Sequence, residues 1–456
     1  MSAQHPRFSA LAMLEKYGGA VPRYTSYPTA PHFHGGVDHR SYAEWLSALP
    51  EDAGLSLYVH VPFCDTLCWF CGCHTKVVRR YEPVASYLEF LRKEIAFVAA
   101  RSGSRRVRRL HFGGGSPTIL APADFLALMG DLRAAFDFDP DADIAIEVDP
   151  RDLTPCKVSA LASAGVTRAS VGMQDIDPEV QKAINRIQPQ SVTKAAVDSL
   201  RRAGVGSINI DVMYGLPHQN LRRVIATVDA AARLGPDRLA LFGYAHVPWM
   251  KRHQQLIDET ALPDPPERLA EAQAAAACLK SAGYRQIGLD HFARPNDALA
   301  LAEGRGALRR NFQGYTEDAQ PILIGFGPSA IGSLPQGYVQ NTPDMPAYRK
   351  ALEAGRNAVY RGVELSAEDS LRRDVIERLM CDLRADTAAL CANHGVRDDH
   401  FEPEFGVLQQ MERDGLVELD GRVVKIPEAA RSFMRNVAAV FDAHLNRGLA
   451  RHSQAV

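Results

Sequence analysis

Six short stretches of the chain are rich in apolar and β-branched residues, and each is followed by a longer amphipathic stretch. The intervening segments, such as VASYLEFLRKEIAFVAA and SVTKAAVDSLRRAG, have the spacing of helices with one apolar face. Repeated strand–helix–strand units predict a parallel sheet with its helices outside. Six units are two short of a closed eight-fold barrel, so the pattern predicts an α/β protein with an open (β/α)6 partial barrel. The predicted strands are 55–61, 108–112, 143–148, 168–173, 207–213 and 238–244.

The flanking segments have different patterns. A short helix and the turn-rich PRYTSYPTAPHFHGG predict an N-terminal wrap packed on the main domain. From residue 365, a capped helix (LSAEDSLRRDVIERLM) and a small hairpin followed by a helix predict a mostly helical, winged-helix-like domain. The predicted divisions are 1–50 for the wrap, 51–290 for the barrel, 291–364 for a barrel extension and connection, and 365–456 for the C-terminal domain.

Net charge and composition narrow the range of functions that the sequence allows. The chain has 456 residues, 46% of them hydrophobic, and a net charge of −2, so no global basic field favours nucleic acid or membrane binding. From residue 365 on, 12 Lys and Arg stand against 16 Asp and Glu, so the winged-helix-like domain is a poor phosphate binder and a more natural cover for the barrel. No apolar run approaches ~20 residues, and MSAQHPRFSALAMLEKYGG has no signal-peptide core, which predicts a cytoplasmic, thiol-reducing setting.

Half of the eight cysteines fall in one ten-residue window after the first predicted strand. Cys64, Cys68 and Cys71 have C-x3-C-x2-C spacing, and Cys73 follows two residues later. Disulfides are disfavoured because the other cysteines are scattered and nothing suggests secretion. Structural zinc remains an alternative, although the spacing is wrong for a ribbon or finger. The favoured interpretation is a [4Fe–4S] cluster held by three thiolates.

Several motifs together resemble the radical S-adenosylmethionine (SAM) superfamily and, within it, the oxygen-independent coproporphyrinogen III oxidase (dehydrogenase) family. The cysteine loop, C-x3-C-x-Φ-C with an aromatic Φ, resembles the superfamily motif. The resemblance covers most of the chain, and the collection is far more specific than any one piece. It is carried by RYTSYPT (23–29), YVHVPFC…CWFCGC (58–73), HFGGGSPT (111–118), EVDPR (147–151), SVGMQD (170–175), NIDVMYGLP (209–217), YAH (244–246), DHFARP (290–295) and NFQGYT (311–316).

Individual residues follow partly from chemistry and partly from this resemblance. Tyr58 and His60 alternate on the first strand and therefore share a face. Asp211 lies in an otherwise apolar run, where a carboxylate is costly to bury unless it binds a partner or ligand. Consecutive glycines after the second strand let a ligand approach the backbone. The resemblance implies SAM contacts by Tyr58, Phe70, Gly114, Gly115, Ser116, Glu147, Gln174, Arg186, Asp211, Ala245 and Ile331, with Arg186 in the helix after the fourth strand.

The substrate side of the site rests on the same resemblance. It implies that the N-terminal wrap lies over the active site, so that Arg23 and Tyr24 approach the substrate. Cys73, His60 and Tyr58 are predicted to be catalytic or close to the substrate. Our hypothesis is that Cys73 is not a cluster ligand and instead faces a second SAM molecule or the substrate.

The implied reaction is the oxidative decarboxylation of two propionates of coproporphyrinogen III to vinyl groups, giving protoporphyrinogen IX in anaerobic haem biosynthesis. A [4Fe–4S] cluster and SAM, two molecules of it in this family, would supply a radical that removes a hydrogen from the propionate β-carbon. The implied partners are coproporphyrinogen III and a low-potential electron donor such as a flavodoxin or ferredoxin. A monomer that binds neither nucleic acid nor membrane is expected.

Two alternatives stay open at this stage, and a third is rejected. Related haem chaperones share much of the barrel but typically lack Cys73 and the RYTSYPT wrap, so the oxidase is favoured over a chaperone or another tetrapyrrole-handling relative. A zinc-bound structural or regulatory protein with a winged-helix reader is a second alternative. ILIGFGPSA (322–330) loosely matches a dinucleotide fingerprint, but Pro328 interrupts it and no following strand–helix–strand unit is visible, so a nicotinamide site is rejected.

Overall fold

A computed structural model describes residues 10–103 and 105–445 of the chain. The N-terminal wrap contains two helices, α1 (Ala10–Tyr17) and α2 (His39–Ser47), and a 3₁₀ turn at Ala30–His32. None of the helices in the described ranges is long and apolar enough to cross a membrane.

The central part of the chain alternates strands and helices, as the hydrophobic pattern predicts. Its strands are β1 (Leu55–Val61), β2 (Phe63–Cys64), β3 (Lys76–Val77), β4 (Arg106–Gly114), β5 (Asp137–Val148), β6 (Arg168–Gln174), β7 (Ser207–Tyr214) and β8 (Arg238–Gly243). Its helices are α3 (Glu82–Ser102), α4 (Pro122–Ala135), α5 (Pro155–Ser163), α6 (Pro178–Ala183), α7 (Gln190–Arg202), α8 (Leu221–Arg233) and α9 (Pro265–Ser281). Further 3₁₀ turns are Pro117–Ile119, Arg252–Leu256 and Glu259–Ala261.

A connecting region extends the main sheet at both ends. It comprises α10 (Ala298–Gly304), α11 (Met345–Glu353) and the strands β9 (Arg285–Ile287), β10 (His291–Ala293), β11 (Arg309–Asn311), β12 (Gly314–Thr316), β13 (Ile322–Phe326), β14 (Ile331–Leu334), β15 (Gly337–Asn341) and β16 (Val359–Glu364). The resulting 12-stranded sheet has the order β16-β15-β14-β13-β1-β4-β5-β6-β7-β8-β10-β9. Strands β13 to β8 in this order run parallel, and the outer strands at both ends are antiparallel.

The open (β/α)6 barrel is therefore confirmed, with one parallel strand more than the sequence predicts. The added strand β13 pairs with β1 and contains the first glycine of the loose dinucleotide fingerprint. The next element, β14, runs antiparallel to β13, so no helix crosses over from it and the segment is not a dinucleotide-binding unit.

The amino end of the barrel is closed by an ionic network around Glu317. This carboxylate accepts from Arg109 (3.2 Å), Arg168 (3.0 Å) and Arg238 (3.2 Å), which stand on β4, β6 and β8. Burial would raise the pKa of Glu317, but the three guanidinium groups, Arg238 foremost, outweigh it and hold that pKa well below its usual value. The network leaves the carboxyl ends of the strands as the open end.

The C-terminal part packs as a second apolar cluster. It contains α12 (Ala367–Asp382), β17 (Arg384–Asp386), α13 (Thr387–Asn393), α14 (Glu402–Arg413), β18 (Glu418–Asp420), β19 (Val423–Lys425), a 3₁₀ turn at Glu428–Phe433 and α15 (Met434–Ala439). A reciprocal Ser366–Asp369 capping box begins α12, as the sequence predicts. Three helices combined with the antiparallel sheet β17-β19-β18 are consistent with a winged-helix-like unit, and the four predicted divisions of the chain stay predictions.

Candidate functional site

The cysteine loop begins at the carboxyl end of β1 and is fixed to its neighbours by backbone hydrogen bonds. The amide of Ser116 donates to the carbonyl of Phe63 (2.7 Å), and the amide of Trp69 donates to the carbonyl of Ile184 (3.0 Å). The side-chain amide of Asn185 donates to the carbonyl of Leu67 (2.9 Å). The thiols therefore stand on a loop held by the ends of several barrel strands rather than on a free surface segment.

The three spaced cysteines differ in their surroundings. Cys68 is buried, whereas Cys64 and Cys71 are half-buried. Burial raises the pKa of Cys64 to about 12, although the Thr75 hydroxyl donates to its sulfur at 3.1 Å. A hydrogen bond with Cys73 lowers the pKa of Cys71 to about 7 against the effect of burial. Two guanidinium groups face the sulfur of Cys68, from Arg186 (3.5 Å) and Arg151 (3.8 Å).

The donor set fits an iron–sulfur cluster by its chemistry. Three thiols of one short loop are near enough that the charges of Cys68 and Cys71 raise the pKa of Cys64. Within 10–103 and 105–445, no three His, Cys, Asp or Glu side chains are already grouped to hold a metal ion. A cluster would therefore have to draw the thiols together. The guanidinium groups of Arg186 and Arg151 lie beside the sulfur of Cys68, where they would offset the charge of a bound anionic cluster.

Cys73 stands apart from the other three thiols. It is exposed, its amide lies 3.4 Å from the sulfur of Cys71, and its carbonyl accepts from Lys251 (3.0 Å). The hydrogen bond to Cys71 raises the pKa of Cys73 well above its usual value.

Tyr58 and His60 lie on the same face of β1, as their alternation predicts. The hydroxyl of Tyr58 is 3.0 Å from Nδ1 of His60, and Nε2 of His60 is 2.8 Å from the carbonyl of His74. A carbonyl only accepts, so Nε2 carries the proton and Nδ1 accepts from Tyr58. Burial lowers the pKa of His60 to about 4, which keeps the imidazole neutral. The pair links the barrel floor to the end of the cysteine loop.

The glycine-rich turn after β4 closes tightly on this pair and on Glu147. A Cβ at Gly114, where φ is +115°, would stand 2.7 Å from the His60 ring, and one at Gly115 would stand 2.5 Å from the carbonyl oxygen of Phe63. The amide of Gly114 donates to Glu147 (3.0 Å), and His111 is 3.4 Å from the same carboxylate. Burial would raise the pKa of Glu147, but His111 and Gly114 outweigh it and lower that pKa.

Arg186 is a buried connector rather than a helical residue. Helix α6 ends at Ala183, so the expectation of a helical Arg186 is wrong; its side chain is 8% exposed. Its guanidinium contacts Asp149 (3.2 Å) and the carbonyl of Gly172 (2.9 Å) in addition to the sulfur of Cys68. The chain reverses before it at Asn185 (φ +53°), which turns the arginine inward.

Asp211 lies in β7 and is held by two neighbours on the same barrel floor. It accepts from the hydroxyl of Ser170 (2.8 Å) and the side-chain amide of Asn209 (2.7 Å). Burial raises its pKa to about 6 in spite of these donors. Asp211, Glu147 and His291 line one cavity of about 150 Å³, which Phe242 separates from a larger one.

The other residues expected to contact SAM lie at the edges of the candidate site. The carbonyls of Phe70 (3.0 Å) and Ala245 (3.2 Å) both accept from the side-chain amide of Gln254. Gln174 ends β6 at a bulge with φ +66°. Ile331 begins β14, against Gly325, the residue that pairs with Tyr58.

Three expected contacts lie differently. The buried hydroxyl of Ser116 is 3.1 Å from that of Thr118 and faces away from the cysteine loop's open side toward Asp152, which Thr118 contacts at 2.9 Å. Arg23 is exposed and donates to the carbonyl of Gly243 (3.4 Å) at the end of β8. Tyr24 is buried in the C-terminal cluster and bonded to Asp442 (3.0 Å), so its hydroxyl is held away from the barrel.

Sequence reasoning missed the residues that hold these groups in place. Asp149 and Arg151 lie within the quoted EVDPR motif, and their alternating charges were the available signal. His253, which lies 2.7 Å from the carbonyl of Cys71, and Gln254 lie in an irregular segment far along the chain. No local pattern predicts contacts of this kind.

Comparisons with known proteins agree with this geometry. The sequence model of the radical SAM superfamily matches residues 58–231. The chain is 52% identical over 437 residues to an oxygen-independent coproporphyrinogen III oxidase of Bradyrhizobium diazoefficiens, covering 96% of this chain and 97% of that protein. It is 40% identical over 438 residues to the protein of the same name from Escherichia coli, covering 96% of each.

One solved structure matches almost the whole fold. It is described as coproporphyrinogen III oxidase (HemN) from Escherichia coli, a radical SAM enzyme. The TM-score is 0.90 at 38% identity, and the match covers 97% of this chain and all of the other.

Proposed function

The chain belongs to the oxygen-independent coproporphyrinogen III oxidase family of the radical SAM superfamily, and from this premise we propose which residues carry out the family's reaction. The reaction is the oxidative decarboxylation of two propionates of coproporphyrinogen III, giving protoporphyrinogen IX in anaerobic haem biosynthesis. A [4Fe–4S] cluster and SAM are its cofactors. The observation that carries the residue assignment is the convergence of the cysteine loop, the Gly113–Gly115 turn and Glu147 at the carboxyl ends of β1, β4 and β5.

Cys64, Cys68 and Cys71 hold the cluster in this proposal. When bound, the cluster and SAM supply a radical that takes a hydrogen from the propionate β-carbon. Arg186 and Arg151 hold the loop through Cys68 and share Asp149 as their counter-charge. The exposed Cys73 thiol is not a cluster ligand in this proposal and faces a second SAM molecule or the substrate.

SAM lies over the backbone of the glycine turn, beside Tyr58, Glu147 and Gln174. Phe70, Ala245 and Ile331 border it through packing and backbone, and Gln254 fixes the first two. Arg186 remains beside the cluster loop, and Ser116 borders SAM through packing, because its hydroxyl and its amide are both used internally. In the tyrosine–histidine pair the Tyr58 hydroxyl donates to His60, which leaves its oxygen as a neutral acceptor at the floor of the site.

A second SAM molecule is part of the proposal. The cavity lined by Glu147, Asp211 and His291 adjoins the first site and offers the carboxylates that a sulfonium or ribose would contact. Equilibrium binding of SAM to the reconstituted protein tests it: two equivalents per chain are expected, and one equivalent would contradict it.

A low-potential acidic carrier, such as a flavodoxin or ferredoxin, is the proposed electron donor. Beside the cysteine loop, Val77, Trp249 and Met250 are exposed, and Lys76, Lys251 and Arg252 surround them. Apolar side chains within a basic rim suit an acidic partner. Lys76→Glu with Arg252→Glu should slow reduction by flavodoxin at low salt but leave reduction by dithionite unchanged; equal slowing of both would contradict the docking.

The other proposals concern the protein's oligomeric state, its location in the cell and what it does not bind. A monomer in the cytoplasm, binding neither nucleic acid nor membrane, is expected, and sedimentation equilibrium would test the first of these. Two subunits per particle would contradict it.

An anaerobic assay tests the function itself. The reconstituted, reduced protein should convert SAM and coproporphyrinogen III to 5′-deoxyadenosine, CO2 and protoporphyrinogen IX, with two CO2 per product. SAM cleavage without a vinyl product would instead favour a haem chaperone or another tetrapyrrole-handling relative.

A further inference from the structure

One unexplained feature near the site is a cavity of about 540 Å³ at the carboxyl end of β8. Its walls are the ends of β7 and β8, helix α9, strand β10 and the C-terminal segment around residues 428–435. This volume is in the usual range for pockets that bind small molecules and cofactors. None of the cluster-binding thiols lines it.

The walls of this basic cavity carry a large excess of positive charge. Six cationic side chains stand against the carboxylates of Asp290 and Glu428, which leaves an excess of four. Glu428 already contacts Lys280 (2.6 Å) and Arg431 (2.6 Å). The other cations share Asp290 alone among the lining carboxylates. The six are Arg23, Arg268, Lys280, Arg310, Arg431 and Arg435.

The charges that concentrate around Asp290 are also the most buried. The Arg310 side chain is 5% exposed, and its Nη1 lies 3.9 Å from Asp290 without a hydrogen-bond acceptor in the described part of the chain. Arg435 is 6% exposed, and burial together with Arg23 and Arg310 lowers its pKa to about 10. A buried guanidinium nitrogen such as Nη1 of Arg310 is costly unless an anion joins it.

The basic cavity borders the proposed reaction site. Phe242 lines both this cavity and the smaller one around Asp211 and Glu147. Ala245 also lines it, and Gln254 links the Ala245 carbonyl to Phe70 in the cysteine loop. A ligand held here can extend from the cationic wall toward the cofactors.

We propose that the basic cavity binds propionate carboxylates of the tetrapyrrole, with Arg310 and Arg435 as the principal anchors and Arg23 closing over them from the N-terminal wrap. This inference rests on the proposed function. The anchored propionates are those that do not react in a given turn. Anchoring them orients the ring so that another propionate reaches the cofactors.

The direct test is equilibrium binding of a stable probe, coproporphyrin III, to the full-length protein, followed by fluorescence. Mesoporphyrin IX is the comparison, because ethyl groups replace two of the four propionates. The wild-type protein should bind coproporphyrin III more tightly, and the difference should shrink at 1 M salt. Equal affinity for both porphyrins would overturn the carboxylate assignment.

Substitutions then locate the anchors. Arg310→Gln and Arg435→Gln should each weaken coproporphyrin III binding by about tenfold or more, with a smaller effect on mesoporphyrin IX. Arg309→Gln is the matched control, because that neighbour is half exposed and contacts Glu377 outside the cavity. Arg310→Lys and Arg435→Lys retain the positive charge and serve as controls for misfolding of the Gln variants. They should recover part of the affinity.

Kinetics on the substrate itself give a second readout. The Gln variants should raise KM for coproporphyrinogen III with little change in kcat. If neither KM nor porphyrin binding changes in well-folded variants, the proposal is overturned even though the enzyme is active. If binding depends on Arg310 and Arg435 but the wild type forms no protoporphyrinogen IX, the proposed function fails and the anion site remains.

Discussion

Removing the Arg186 guanidinium should destabilise the protein before any cofactor binds. Arg186→Leu leaves Asp149 with Arg151 as its remaining partner at 2.6 Å, and the Gly172 carbonyl with Gln188 at 3.0 Å. Breaking a buried ion pair costs about 3–5 kcal/mol, and these retained partners place the expected loss near the lower end, ~3 kcal/mol. Arg186→Lys keeps the charge but cannot reach three acceptors at once, so about half that loss is expected.

The assay is urea unfolding of the cluster-free protein. A loss of ~3 kcal/mol should lower the midpoint by about 1 M for the slope of a large domain. Arg309→Gln is the control, because an exposed ion pair is worth ~1 kcal/mol or less. A midpoint for Arg186→Leu equal to that of the control would refute the role of Arg186 as a buried connector.

Three further predictions address the thiols, the glycine turn and the ionic network around Glu317. Cys68→Ser should lose the four-iron absorbance after reconstitution, whereas Cys73→Ser should keep it but lose activity; loss of the absorbance in Cys73→Ser would make that thiol a ligand. In Gly114→Ala the added methyl group would meet the His60 ring at a residue with positive φ. This variant should retain iron but bind SAM about tenfold or more weakly in equilibrium dialysis. Unchanged binding would refute the proposed contact between SAM and the glycine turn. The folded pKa of Glu317 is below its unfolded value of about 4.3, so its contribution is present above that pH and is lost as the pH falls. The stability gap between wild type and Glu317→Gln should therefore be largest near pH 7 and shrink below about pH 4, and a gap independent of pH would contradict the network.

The hydrophobic pattern was sufficient for the barrel because each predicted strand is a short apolar run followed by an amphipathic helical stretch. The run at 207–213 became β7 within one residue of its predicted bounds. Strand β13 was missed because its apolar residues are broken by glycines and are followed by a hairpin rather than a helix. Pairing with β1, more than 260 residues earlier in the chain, is a tertiary effect that no local pattern reports.

The residues of the candidate site likewise divide into those that the local sequence predicts and those that it does not. Cys64, Cys68 and Cys71 could be predicted because a metal site needs several thiols at close spacing in the chain. Gln254 and Arg435 could not, because they reach the site from distant segments and are ordinary residues in their local sequence. Arg186 was predicted for its position in a motif, but only the backbone reversal at Asn185 shows why it is buried.

The most direct test of the central claim follows one hydrogen atom. Coproporphyrinogen III carrying deuterium at the propionate β-carbons is supplied anaerobically with SAM to the reconstituted protein, and 5′-deoxyadenosine is analysed by mass spectrometry. The account predicts 5′-deoxyadenosine that is one mass unit heavier, together with protoporphyrinogen IX. Vinyl product with unlabelled 5′-deoxyadenosine, or labelled 5′-deoxyadenosine in a Cys68→Ser protein without its cluster, would contradict it.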